Sequence, residues 1–281
     1  MNFPGEQPGK YLTLSDGAKL YYEEYGQGTP IALIHGWPAS HLFFKRNILA
    51  LSRDHRVIVP DLRGFGNSSK IMTGHTISQY AKDLNQLFQH LKLEKIHLAG
   101  WSMGGPIILS YYEQFEKDDR IASLALLDSD PYPFSQEDWN AHGLKASRWE
   151  GLSDMFAAYQ DDKDSFLKGF AEKIFLHKNP TAEDLQWIIR EMKKTPPGIA
   201  MAAYSDFCIT DYARTLGFIK VPVAVFGSNS AVYAEGIKMA EMIAEKIPKG
   251  KAYPITNGGH FFFYEQAEEF NQIYLDFIKS S

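Results

Sequence analysis

Apolar and polar positions follow two alternating rhythms along the chain. Ile31–Ile34, Val57–Val59, Ile96–Ala99, Ile121–Leu127 and Val221–Phe226 are short apolar runs with no polar face. Runs of this kind predict strands covered on both sides, as in a parallel sheet. Ahead of them, Lys10–Leu14 and Lys19–Tyr25 are strand-like, and Asp16-Gly17 between them predicts a type I′ hairpin turn. The intervening segments change period. Ile77, Tyr80, Ala81, Leu84, Leu87, Phe88 and Leu91 recur at helical spacing behind a candidate N-cap, Thr76. The runs Met103–Gln114, Ile237–Ile247 and Phe270–Ile278 also read as helices, and Ala252–Ile255 as a further strand. A hairpin followed by alternating strands and helices predicts an α/β protein with a mostly parallel sheet flanked by helices.

The alternation stops at Pro131. From there to Arg214 the pattern is helical and rich in aromatics, among them Trp139, Trp149, Phe156, Tyr159, Phe166, Phe170, Phe175, Trp187 and Tyr204. Strand and helix resume at Val221. The expected organisation is a core of residues 1–130 and 215–281 interrupted by a helical insertion, 131–214. Most of the inserted aromatics should pack between helices and onto the sheet, and a subset should line an apolar pocket.

Composition narrows the function. Among 281 residues, 29 Lys and Arg face 34 Asp and Glu, a formal charge of −5, so the basic excess of a nucleic-acid binder is missing. No apolar run approaches the ~20 residues of a membrane span. The first residues, Met1–Glu6, lack the basic and apolar regions of a signal peptide. The only cysteine, Cys208, has no partner for an intramolecular disulfide and is expected to be buried and inert. These features predict a cytoplasmic protein acting on a small molecule, without membrane or nucleic-acid partners. No phosphate loop, HExxH or CxxC motif is present, and Gly64-x-Gly66-x-x-Ser69 lacks the third glycine of a dinucleotide fingerprint. Neither cofactor nor metal is expected.

Two segments carry chemistry. Gly100-Trp-Ser102-Met-Gly104 joins the predicted strand 96–99 to a predicted helix. As a bare pattern it is common. In a strand–turn–helix context its glycines let the backbone bend sharply, and the serine hydroxyl stands clear as a nucleophile. His35-Gly-Trp37-Pro38 follows the strand 31–34. Acyl transfer needs two backbone N–H donors for the developing oxyanion. Met103, after the nucleophile, supplies one; Trp37 is the candidate for the other, because Pro38 has no N–H.

With these motifs, Asp61-Leu-Arg63-Gly-Phe-Gly66-x-Ser68, and Gly259-His260 before the last helix, nearly the whole chain resembles the α/β-hydrolase superfamily. The HGWP and DLRGFGNS segments are similar to the branch of haloperoxidase-like esterases, haloalkane dehalogenases and epoxide hydrolases. The latter two use an aspartate nucleophile; Ser102 favours esterase chemistry. The resemblance implies the α/β-hydrolase fold, with 131–214 as a cap, and a chain order of serine, acid, histidine. His142, His177 and His260 follow Ser102, and the first two lie in the insertion, so His260 is the expected base, with His35 a structural loop residue. The acid usual in the family follows the strand after the cap, but Gly227-Ser-Asn-Ser230 holds no carboxylate there. The other family location, after the strand before the cap, points to Asp128, with Asp130 or Glu235 as alternatives. Trp37, Trp101 and Phe261 flank the motifs and are expected to wall the substrate site. The implied activity is hydrolysis of a small to medium, largely apolar ester, with perhydrolysis as a side reaction. A lactonase or carbon–carbon bond hydrolase with the same triad, and a non-catalytic ligand-binding signalling protein, are the alternatives.

Overall fold

The computed structural model describes residues 8–176 and 180–281. Its strands are β1 (Lys10–Thr13), β2 (Lys19–Tyr25), β3 (Thr29–Ile34), β4 (His55–Pro60), β5 (Ile96–Trp101), β6 (Ile121–Leu127), β7 (Val223–Ser228) and β8 (Gly250–Ile255). They form one sheet in the order β1-β2-β4-β3-β5-β6-β7-β8. β1–β2 and β2–β4 pair antiparallel, and the remaining pairs are parallel. The apolar runs are central strands for the expected reason: every residue of β5 and β7 is buried, because helices cover both faces. β8, at the edge, keeps a polar half-exposed pattern, which is why only part of it is legible in the sequence.

The hairpin between β1 and β2 is not a type I′ turn. That turn needs positive φ at both central residues, and of Asp16 and Gly17 only Gly17 has it. The Gly17 N–H closes a turn on Leu14 O at 2.9 Å, and Leu14 N–H pairs with Ala18 O at 2.8 Å, so the loop is longer and ends in a glycine bulge.

Helices α1 (Lys45–Leu51), α2 (Ile77–His90) and α3 (Gly104–Phe115) connect the first strands. In α2 the predicted apolar stripe is buried, and Thr76 accepts the Gln79 N–H at its start, a cap worth about 1 kcal/mol. Arg63, after β4, is buried and donates through Nε and Nη2 to both oxygens of Asp83 on α2, each at 2.7 Å.

Between β6 and β7 lies the insertion. Its opening stretch, 131–147, forms turns where the sequence suggests helix. α4 (Arg148–Asp161), α5 (Lys163–Lys173), α6 (Ala182–Lys193) and α7 (Pro197–Ile209) follow, and Tyr212 N–H returns to Pro131 O at 3.1 Å, joining the two ends. α8 (Gly236–Glu245), α9 (Phe262–Glu265) and α10 (Ala267–Lys279) complete the core. None of the described helices is long and apolar enough to cross a membrane.

Candidate active site

The chain reverses sharply after β5. Ser102 has φ +53, in the left-handed region that costs a non-glycine residue about 1–3 kcal/mol. The conformation is held from three sides. Ser102 N–H donates to Leu127 O at 3.0 Å, and Ser102 O accepts from Gly105 N–H at 2.9 Å and from Ser129 Oγ–H at 2.7 Å. A side chain at Gly100 would fall on the Gly104 carbonyl, so the elbow requires glycine there. The Ser102 side chain remains partly exposed.

β6 is in parallel register with β5, pairing Trp101 with Leu127. The next residues, Ser102 and Asp128, therefore emerge side by side at the carboxyl edge of the sheet. Asp128 also has positive φ, +43, and is fully buried. Its Oδ1 accepts the Ser228 N–H at 2.9 Å, and its Oδ2 lies 2.7 Å from Nδ1 of His260, itself 1% exposed. A carboxylate can only accept, so Nδ1 carries the proton and Nε2 is left basic. The His260 loop is anchored by Ser228 Oγ–H to Gly259 O at 2.8 Å, Glu265 to Gly259 N–H at 2.6 Å, the Trp101 indole to His260 O at 2.8 Å, and Ile174 O of the insertion to Phe261 N–H at 2.8 Å.

The other acid candidates lie elsewhere. Glu235 is exposed and pairs with Lys238. Asp130 is buried; its Oδ1 accepts the Tyr132 N–H at 2.8 Å while Oδ2 has no partner. Desolvation pushes its pKa up to about 7. Of the two histidines in the insertion, His177 lies outside the described residues. His142 accepts the Leu144 N–H on Nδ1 at 3.0 Å, and burial, reinforced by His260, drives its pKa down to about 3. Sequence reasoning set His142 aside and missed Tyr233. The Tyr233 ring lies between the two histidines, 5.7 Å from His142 and 5.4 Å from His260. They converge from distant positions, and no local pattern marks them.

The loop after β3 passes directly against the serine. A Cβ on Gly36 would sit 2.8 Å from Ser102 Cβ and 2.9 Å from Trp101 O. The Trp37 and Met103 N–H groups have no protein acceptor among the described residues, and Met103 stands at the positive end of α3. The Trp37 indole donates to Ala200 O of α7 at 2.7 Å, and its ring packs on Tyr159, Phe166, Phe170 and Tyr204 of the insertion. Trp101 and Phe261, expected at the substrate wall, are 1% and 0% exposed. They stack on each other, Trp101 stacks on Phe43 while Phe261 meets it at a tilt, and the Trp101 ring lies 5.2 Å from that of His260. Phe156, Phe166, Phe170 and Tyr204 are half-buried, and the last three pack on Trp37.

Beneath the loop runs a buried ionic chain. Asp61 Oδ1 accepts both the backbone N–H and Nδ1–H of His41, at 2.7 and 2.8 Å, and His41 Nε2 faces Glu23 Oε1 at 3.2 Å. Burial alone would lower the His41 pKa, but the two carboxylates hold it up to about 10. Cys208 is buried, and desolvation raises its thiol pKa. Among the described residues no group of three or more His, Cys, Asp or Glu is arranged to hold a metal ion.

A sheet that presents a serine on a strand–helix elbow, beside a buried Asp–His pair, defines a serine hydrolase. The chain belongs to the alpha/beta hydrolase fold family, whose model matches residues 29–267. Lipase 1 of Psychrobacter immobilis is 41% identical over 268 residues, covering 92% of this chain and 80% of that protein. A non-heme haloperoxidase of Rhodococcus erythropolis is 28% identical over 276 residues, covering 96% and 99%. The solved structure of an esterase from Exiguobacterium antarcticum superposes with a TM-score of 0.88 at 27% identity, covering 97% of this chain and all of that one.

Proposed function

We propose that the chain is a carboxylic ester hydrolase working through an acyl-enzyme, with Ser102, His260 and Asp128 as its triad. The observation that carries this reading is the buried 2.7 Å contact between His260 Nδ1 and Asp128 Oδ2, on the sheet edge that also bears Ser102. Ser102 Oγ attacks the ester carbonyl while His260 Nε2 takes its proton. The Trp37 and Met103 N–H groups receive the oxyanion. His260 then protonates the departing alcohol, and Asp128 stabilises the imidazolium throughout. Water, activated by His260, adds to the acyl-enzyme and releases the acid. Hydrogen peroxide in its place gives the peroxy acid, a side reaction to which the likeness to a haloperoxidase lends support.

Residues 131–214 serve as a cap over this site. The packing of Trp37 against Tyr159, Phe166, Phe170 and Tyr204 supports that reading and favours small to medium apolar acyl or alcohol groups. The sole cysteine, buried and unpaired, supports a cytoplasmic setting.

A panel of p-nitrophenyl esters of increasing acyl length, together with labelling by a serine-directed phosphonate, tests the proposal. Ser102→Ala is expected to abolish both turnover and labelling. Retention of more than about 1% of kcat by a clean preparation refutes the nucleophile, because triad knockouts cost far more. A strong preference for small charged esters refutes the apolar pocket.

A further inference from the structure

Near the catalytic groups one buried histidine has no part in the proton transfers. His35, the first residue of the HGWP loop, is fully buried. Leu62 N–H donates to its Nε2 at 3.0 Å, so Nε2 is unprotonated, and the ring proton must sit on Nδ1. Nδ1 lies 2.8 Å from Gly36 O, to which it therefore donates. Ala39 N–H donates to the same oxygen at 3.1 Å. At the far end of the loop Asp61 fixes the His41 N–H.

The Gly36–Trp37 peptide is trans, since the only cis bond among the described residues is Trp37–Pro38. In a trans peptide, carbonyl and N–H point in opposite directions. Two donors holding Gly36 O on the His35 side thus turn the Trp37 N–H away from the ring. They do so where the loop touches Ser102.

We infer that His35 is a positioning residue for the oxyanion hole: its Nδ1–H, bonded to Gly36 O, sets the peptide plane that aims the Trp37 N–H at the reacting carbonyl oxygen. The inference rests on the esterase reading above. It requires a neutral ring. Burial supplies this, outweighing the pull of Asp61 and taking the pKa down to about 4, with His41 and Lys70 also opposing a second charge.

The two nitrogens are separable by substitution. The amide nitrogen of Asn occupies the Nδ1 position and keeps the donor to Gly36 O, leaving Leu62 N–H unpaired. Gln reaches the Nε2 position and keeps the acceptor for Leu62 while losing the donor. Removing an oxyanion donor outright costs about 10²–10³ in kcat. Loosening its aim is expected to cost roughly 10–10² in His35→Gln and His35→Phe, with KM little changed. His35→Asn should retain most of kcat although it melts at a lower temperature than His35→Gln. Inhibition by 2,2,2-trifluoroacetophenone, which forms an oxyanion on the serine, should weaken in parallel with kcat and not with KM.

A purely structural role through Leu62 predicts the reverse order, Gln more active than Asn, and that result overturns the inference. So does a His35→Phe enzyme within about threefold of wild-type kcat, since a loosened aim is expected to cost about tenfold or more. If His35→Phe does not fold, the Asn–Gln comparison still decides. Ser102→Ala separates the two levels. Activity in that variant overturns the esterase reading and this inference together, whereas an inactive Ser102→Ala beside an unaffected His35→Phe overturns the inference alone.

Discussion

Asp128→Asn isolates the coupling between the acid and the base. The wild-type carboxylate accepts two N–H bonds, from Ser228 and from His260, and is shielded from water. Asparagine has one oxygen and one NH2 to offer in their place. With its oxygen on Ser228, the NH2 faces Nδ1, which must then accept, and the proton moves to Nε2, where it blocks attack on the Ser102 hydroxyl. With the amide flipped, the imidazole keeps its working tautomer, but two donors meet at Ser228 and a buried N–H goes unpaired, at about 1–3 kcal/mol. The inactive arrangement is therefore favoured about 5- to 150-fold. Loss of the charge that stabilises the imidazolium adds a comparable factor, and the product, about 25-fold to 2 × 10⁴-fold in kcat, includes the 10⁴ known for the equivalent serine-protease change. Steady-state hydrolysis of a p-nitrophenyl ester, with thermal melting to confirm folding, measures it. A folded Asp128→Asn enzyme within tenfold of wild type would refute the assignment.

Three further outcomes are expected. Gly36→Ala places a methyl 2.8 Å from Ser102 Cβ and 2.9 Å from Trp101 O, so the loop must shift: kcat should fall by about tenfold or more and stability by about 1–3 kcal/mol, while normal turnover would contradict the described approach of loop to serine. Asp130 ionises in the unfolded chain at its ordinary pKa of 3.8 but in the fold only near 7, so wild-type stability is lost as pH rises through that interval and is constant above it. Asp130→Asn should hence gain on wild type between pH 4 and 7, by at most about 4 kcal/mol, and keep kcat within about tenfold; a melting difference that does not change with pH would refute this. Asp83→Ala removes the two-oxygen partner of the buried Arg63 but leaves its Nη1 bond to Asp16, so it should cost about 1–3 kcal/mol in denaturant unfolding, with no measurable loss contradicting the pairing.

What the sequence makes legible follows from locality. The central strands are readable because cover on both faces leaves little that is polar in them, the buried His97–Ser123 pair apart, and the elbow because its glycines are adjacent to the serine. Asp128 is legible through an absence at 227–230, which leaves β6 as the place for a carboxylate. α1 is missed since two turns with Ile48 and Leu51 buried give too short a periodicity. The turns of 131–147 are read as helix because their aromatics, such as Trp139, are buried by tertiary packing and not by a helical stripe. The Glu23–His41–Asp61 chain and the Tyr233–His260 contact join residues 18 to 27 positions apart, and nothing local announces them. Trp101 and Phe261 flank the motifs in sequence yet are buried against each other and Phe43.

The register of β5 on β6 has a mechanical consequence. Ser102 and Asp128 ride on two hydrogen-bonded neighbouring strands, so the sheet fixes their spacing as a ruler fixes two marks. His260 is placed by a loop and not by a strand, and the tethers of that loop include one, Ile174 O to Phe261 N–H, that crosses to the insertion. Heat or a displaced insertion should therefore silence the enzyme by detuning one imidazole, well before the sheet itself gives way.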